Sequence, residues 1–420
     1  MIQKLLQYSF ILFAFTLPLS RGAFNFFFAL SLLFWVLDGN FRYKIETIKK
    51  RKILWIFLLI ALLTMLSALF SHSYHEGFLA HGEKSIIRVV TTHYFLVPLI
   101  IVIMVTSIEK RTLELAISAF LIAIFISEVA SYLVFFHLID VDYLKSIHII
   151  YKYSTVDNPS PFMQHVEYSV YLSIAILFML QQVLVNKNIW IRLFVLLFFI
   201  SATINLFING GRTGQLIYIL SMLTYALVYF RFSIKMAIPT IFAIVTVIGI
   251  AYNFSSTFHK RIHEAAMNIE NMQEGNFSTS WGSRAASDIV TLNYLTSSPK
   301  RFFLGAGAGD AREEWLKYAK EHFSPNYYKA IKHLAHTHNQ YLEYWMDGTI
   351  FSLILFLSYF ILLVKLPVPK EYKPLLYAFA VAVAVAASTD VPLFRYQPAM
   401  LIMFLTGYFI TLSCKKEEAP

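Results

Sequence analysis

The residues best equipped for chemistry are basic, and they recur at the ends of apolar runs. Asn209-Gly210-Gly211-Arg212-Thr213-Gly214 lies between two such runs. Glycines suit a tight turn because they adopt backbone angles that other residues resist, but a turn needs no arginine at its tip. Two readings of Arg212 stand: an interfacial arginine that snorkels, or a planar fork that clamps an anion such as phosphate. Arg284, in Trp281-Gly282-Ser283-Arg284, falls near the start of a helix predicted to begin after Ser283. A cation opposes the helix dipole there, so Arg284 is either solvated or paired with an anion docked on the helix N–H groups. Lys84 and Arg88 are four residues apart and share a helix face. They anchor at lipid headgroups or join an anion site.

Histidines form the other group. His333, His336 and His338 crowd the segment His333-Leu334-Ala335-His336-Thr337-His338-Asn339-Gln340-Tyr341-Leu342-Glu343. A metal site is one reading, although the spacing fits no standard zinc pattern and no cysteine is near. Polar surface residues are a second. A general base is the third, because imidazole titrates near neutral pH and can accept a hydroxyl proton. If the next span starts close to Thr337, His336 and His338 point about 200° apart, and one alone can face a shared cavity. Gly305-Ala306-Gly307-Ala308-Gly309 looks like a nucleotide loop but follows no strand of a βαβ unit. Asp347 and Asp390 fall close to predicted helix ends and read as interfacial carboxylates.

The elements that must position these groups are transmembrane helices. Apolar residues make up 58% of the chain and charged residues 14%, against roughly 25% charged in soluble domains. Apolar runs long enough to span a bilayer recur, and helices are the element that satisfies its own backbone in lipid. The expected spans are 5–20, 22–38, 53–71, 89–105, 113–136, 166–184, 190–208, 214–230, 237–253, 342–364, 373–389 and 397–413, about twelve in all. The first run lacks a small-residue cleavage site and reads as a retained helix. Basic residues crowd one side: Arg42, Lys44, Lys49, Lys50, Arg51 and Lys52 lie between two runs, and Lys415 and Lys416 close the chain. This positive-inside bias puts both termini in the cytoplasm. It also accounts for the net charge of +10 without nucleic acid. Cys414, the single cysteine, excludes an intramolecular disulfide.

The organisation expected is then helices over 1–253, a helical outer loop over 254–341, and further helices with a tail over 342–420. Within the loop, Phe258, Ile262, Ala266, Ile269 and Met272 mark one face of an amphipathic helix that Gly275 ends. Ile289, Leu292 and Leu295 mark another, stopped by Ser298-Pro299. Broken helices in corresponding halves, the mark of secondary transporters, are not evident.

These features together resemble the O-antigen ligase family, within the wider O-antigen ligase and polymerase superfamily. The resemblance rests on Arg212 with Leu216, on Arg284, on His336-Thr337-His338-Asn339-Gln340-Tyr341-Leu342-Glu343, and on Asp347-Gly348 before an apolar span. Ser298-Pro299 through Gly305-Ala306-Gly307 resembles a further element of that family's large periplasmic loop. The resemblance implies an all-α membrane glycosyltransferase of the GT-C type, metal-independent and without cofactor, in the bacterial inner membrane. Its donor would be a glycan on undecaprenyl diphosphate and its acceptor lipid A–core oligosaccharide, joined on the periplasmic face. Carried over, the two essential arginines fall on Arg212 and Arg284 and the catalytic histidine on His338, with Lys84, Arg88, His336 and Asn339 expected at the substrate. Two rivals are a repeat-unit polymerase and, in a different class, a transporter of lipid-linked sugars.

Overall fold

The computed structural model describes residues 1–69 and 98–417. Lys84, Arg88 and the first part of the span expected at 89–105 lie outside the described residues. Elsewhere each apolar run coincides with a helix. The order begins with Ile2–Thr16, Arg21–Leu37, Phe41–Lys49 and Lys52–Leu69, then Leu99–Ser107 and Lys110–Phe135. It continues through His165–Val185, Ile189–Ile208, Arg212–Tyr229 and Ile234–Phe254, and ends with Ile350–Val364, Lys373–Thr389 and Tyr396–Glu417. There is no strand among the described residues. Five helices are long and apolar enough to cross a membrane, six if the bent pair Arg21–Leu37 and Phe41–Lys49 is one span. The helices Lys52–Ala68 and Ile350–Val364 are apolar but shorter.

A single apolar core runs through these helices, from Leu6 and Phe13 to Phe404 and Phe409. Small residues let the Lys373–Thr389 helix approach closely, with Ala378, Ala382, Ala386 and Ala387 buried along it. Polar ties knit three helices near one end. Ser201 donates to the Glu128 carboxylate, which is 1% exposed, and Asn205 bonds both Ser131 and Tyr168. The Ser201 hydrogen bond to one carboxylate oxygen offsets part of the cost of burying this acid.

The segment 254–341 is helical, as its periodicity requires. Ser256–Gln273 ends just before Gly275, whose φ is +77°. The next helix, Ser280–Thr296, begins earlier than expected, because Thr279 accepts from the Gly282 N–H and caps it. Pro299–Leu304, Ala311–His322 and Pro325–Ile331 follow. They enclose a second apolar core around Val290, Tyr294, Trp315 and Ile331, completed by Leu342, Trp345 and Met346 from the following helix.

That following helix is irregular. Gln340–Glu343 passes into a π-helical turn, Tyr344–Gly348, before Ile350–Val364. The turn frees the Met346 carbonyl, which accepts from the N–H groups of Ala306 and Gly307 at 2.9 and 3.3 Å. The glycine-rich segment 305–309 is thus a packing loop. A β-carbon on Gly305, where φ is +67°, would lie 2.4 Å from the Trp345 carbonyl oxygen. We expect Gly305→Ala to lower the detergent-solubilised protein's unfolding temperature, through the clash and through the cost, on the order of 1–3 kcal/mol, of a backbone conformation (φ 67°, ψ −149°) essentially reserved to glycine. Gly249→Ala, where a β-carbon meets nothing within 4 Å, should leave that temperature unchanged or slightly raised.

Candidate active site

The segment carrying the histidines is not helical, and local chemistry explains why. Asn339 is the N-cap of the Gln340–Glu343 helix, its side-chain oxygen accepting from the Tyr341 and Leu342 N–H groups at 3.1 and 3.4 Å. Glu343 reaches back over that cap and accepts from both the N–H and the hydroxyl of Thr337, at 2.8 and 2.6 Å. Ser287, on the Ser280–Thr296 helix, holds the Thr337 carbonyl at 2.7 Å. Between these fixed points His338 takes a left-handed conformation, φ 59°. The helical offset expected of His336 and His338 therefore fails. Both precede the cap, and their rings lie together with centroids 4.2 Å apart.

The two rings have different roles. The His338 N–H donates to Nδ1 of His336 at 3.3 Å, so that nitrogen must be unprotonated. Burial, with the charge of His338, pushes His336 down to about 4. His336 is thus a neutral acceptor near pH 7. Nδ1 of His338 lies 3.1 Å from Oδ1 of Asp390. Burial alone would raise the Asp390 carboxyl, but the His338 hydrogen bond and the charge of Arg395 hold it well below the usual carboxylate range. An ionised carboxylate only accepts, so Nδ1 of His338 is the donor in that contact.

Asp390 corrects the interfacial reading of that residue: it is 5% exposed. It follows the Lys373–Thr389 helix, and its second oxygen pairs with Arg395 Nε at 3.0 Å. Arg395 in turn donates to Gln164 Oε1 at 2.9 Å. Gln340 accepts from the Leu393 N–H at 3.0 Å, tying this turn to the histidine segment. The sequence signal was an aspartate and an arginine in one short turn between apolar runs, Asp390-Val391-Pro392-Leu393-Phe394-Arg395.

Arg212 opens the Arg212–Tyr229 helix. Its glycines are not there for unusual backbone angles; close packing is the reason. A β-carbon on Gly210 would lie 2.1 Å from Asn158 Oδ1 and 3.0 Å from Arg261, and one on Gly211 would lie 2.3 Å from the Ser169 hydroxyl. Arg212 Nη2 and Arg261 Nη1 both meet Oε2 of Glu264, at 2.6 and 2.9 Å. Nη1 of Arg212 is buried without a hydrogen-bond partner among the described residues.

Arg284 lies one turn inside its helix, donating to the Ser280 hydroxyl at 2.9 Å. The expected helix-terminus argument therefore does not hold. Burial pulls its guanidinium below the ordinary range, Asp390 and Asp288 oppose that, and Arg395 adds to it. The same Arg284 charge bears on Arg212. The Arg212, Arg284 and His338 expected at one site are thus linked through a field of neighbouring charges. Asn339 is engaged within the fold, its amide nitrogen 3.4 Å from Asp288. Asp347 lies in the π-helical turn, where its backbone carbonyl accepts from the Ser67 hydroxyl at 2.6 Å.

His336, His338 and Asp390 have potential ligand atoms within 4.8 Å of one another and could hold a metal by position. One ligand atom of each is otherwise engaged: His336 Nδ1 by a backbone N–H, His338 Nδ1 by Asp390, and Asp390 by His338 and Arg395. A dication would also meet the charges of Arg284 and Arg395.

Fold and site together define a helical membrane protein that presents an oriented histidine beside several arginines. Residues 194–357 match the family described as O-Antigen ligase, so over that stretch the chain is similar to that family. The match includes Arg212, Arg284, His336, His338 and Asn339, and ends before Asp390 and Arg395. No match was found among curated proteins.

His336 has a consequence for stability. Its folded pKa, about 4, lies below the roughly 6.5 of an unfolded histidine. The unfolded chain therefore binds more protons in that window, and stability is lost as pH falls from about 6.5 toward 4. His336→Asn keeps an acceptor near the Nδ1 position but does not titrate. We expect its unfolding temperature to drop less than that of the wild type between pH 7 and pH 5. Asp288, raised by burial to about 6, acts in the opposite sense but equally in both proteins.

Proposed function

We propose that this protein is an O-antigen ligase: it moves a glycan from undecaprenyl diphosphate to lipid A–core oligosaccharide at the periplasmic face of the bacterial inner membrane. The reading includes about twelve spans, cytoplasmic termini and a GT-C-type arrangement. The observation that carries it is the His338 Nδ1–Asp390 contact, with Arg395 on the second Asp390 oxygen and the charges of Asp390 and Arg284 bearing on each other.

Nε2 of His338 takes the proton from an acceptor sugar hydroxyl. The oxygen attacks the anomeric carbon as the bond from that carbon to the diphosphate oxygen breaks. The electron pair leaves with the diphosphate, whose growing charge Arg212 and Arg284 stabilise. One displacement inverts the anomeric centre. Asp390 keeps the His338 tautomer that makes Nε2 the base and favours the imidazolium that forms. The diphosphate bond supplies the driving force. Asn339 and His336 act on His338 rather than on the sugar: the first caps the helix behind it, and the second receives its backbone N–H. Lys84 and Arg88 are further candidates for the donor.

A repeat-unit polymerase would use the same machinery with a second lipid-linked glycan as acceptor. A deletion strain separates the two on a glycolipid gel. Loss of all capped lipopolysaccharide supports the ligase, whereas a ladder reduced to one repeat supports the polymerase.

In a transfer assay with purified protein, His338→Ala should lose at least about 10²-fold in turnover, the low end for a removed general base. Arg212→Lys and Arg284→Lys should each lose about tenfold or more, ~1.4 kcal/mol, because a point charge replaces a bidentate fork. Near-normal rates in both lysine variants would leave these arginines as anchors in the interface. EDTA should leave turnover unchanged in the same assay. Loss of activity that a divalent cation restores would instead make His336, His338 and Asp390 its ligands.

A further inference from the structure

Two arginines share one carboxylate oxygen at the Arg212 end of the site. Glu264 Oε2 receives Arg212 Nη2 at 2.6 Å and Arg261 Nη1 at 2.9 Å. The three side chains are 22%, 27% and 32% exposed for Arg212, Arg261 and Glu264, so solvent screens them only in part. Two positive charges thus face a single negative one. The imbalance is deepened by Arg284, whose charge bears on Arg212, and by Nη1 of Arg212, which is buried and unbonded among the described residues. A carboxylate spanning two guanidinium groups fills a place that an anion with more oxygens and more charge would fill better.

The position of Glu264 is built. It lies on the Ser256–Gln273 helix, whose cap residue Ser255 bonds the Phe207 carbonyl at 2.9 Å. Phe258 packs edge-on against Phe207, with centroids 5.0 Å apart. These contacts tie the start of that helix to the end of Ile189–Ile208, directly before the Arg212 turn. Arg261 and Glu264, three apart, then share the helix face toward Arg212. Gly210 allows the Arg261 guanidinium to lie against the same turn.

We propose that Glu264 occupies the place of the donor's diphosphate in the empty protein, and that the diphosphate displaces it and takes over Arg261 as well as Arg212. The inference rests on the reading of Arg212 as a diphosphate ligand and adds a third arginine to it. Glu264 then has two effects. It keeps two buried cations from repelling each other before the donor arrives, and it competes with the donor, so that monovalent or weakly charged lipids do not open the site. Displaced, its carboxylate returns to water at the rim, where the helix is already partly exposed.

The alternative is a strut that merely fixes the helix to Arg212, and the two differ in sign. The test is binding of undecaprenyl diphosphate to the full-length protein in detergent, for wild type, Glu264→Gln, Glu264→Asp, Arg261→Ala and Arg212→Ala. A displaced carboxylate requires Glu264→Gln to bind about tenfold more tightly and Arg261→Ala about tenfold more weakly. Glu264→Asp, which keeps the charge but retracts it from both guanidinium groups, should bind with intermediate strength. Equal or weaker binding by both Glu264 variants, with Arg212→Ala still defective, would overturn this inference alone. Unchanged binding by Arg261→Ala would do the same. If Arg212→Ala binds the lipid as wild type does, or wild type does not bind it, the diphosphate reading of Arg212 falls and this inference with it.

Discussion

A carboxylate shut away from water keeps its charge only when hydrogen bonds and opposite charges replace the lost solvation. Asp390 meets that condition through His338 on one oxygen, Arg395 on the other, and the Val391 N–H besides. Much else depends on this. An ionised Asp390 makes Nδ1 of His338 the donor in their contact and so leaves Nε2 as the base in the proposed transfer. Arg395, which it anchors, reaches Gln164 at the start of another helix. Removing one member of a buried pair of this kind typically costs about 3–5 kcal/mol, because its partner is left charged and alone. The same contact that prepares the base also joins the ends of separate helices.

Around that pair the site has to hold several cations close together. Arg212 and Arg261 share the single carboxylate of Glu264, while Arg284 and Arg395 face Asp288, Asp390 and, at 3.9 Å from Arg395, Glu167, so the surplus of positive charge lies at the Arg212 end. Such a surplus is costly in a protein without an anionic ligand and favourable in one that binds diphosphate. A neutral histidine fits the same balance. His336, kept uncharged by burial, adds no further positive charge beside His338.

Precision comes from short devices more than from long helices. The Asn339 cap and the Glu343 reach-back hold His338 in a left-handed conformation that would otherwise cost ~1–2 kcal/mol. The π-helical turn offers the Met346 carbonyl to the 305–309 loop and so ties the helical segment 254–341 to the span that follows it. Helices set the frame, and caps aim the chemistry.

The apolar runs were enough to determine the helices, since lipid leaves the backbone no other element; their positions agree with the sequence reading wherever residues are described. Arg212, Arg284 and His338 stand out in the sequence as residue types that a turn, a loop helix or an apolar span does not need for itself, and they remain the residues proposed for the transfer. What the sequence could not contain was pairing across distance. Asp390 is 52 residues from His338 and Glu264 is 52 from Arg212, separations at which neither periodicity nor propensity speaks. The relative placement of His336 and His338 was misread for a local reason. The cap falls at Asn339, after both, so helical geometry never applied to them. Gly210 and Gly211 make the same point. Their presence in the turn was legible, but only the approach of Asn158, Ser169 and Arg261 decided why a side chain there is forbidden. Local preference follows from the sequence through short-range sterics, whereas charge compensation depends on which distant groups the packed helices bring together.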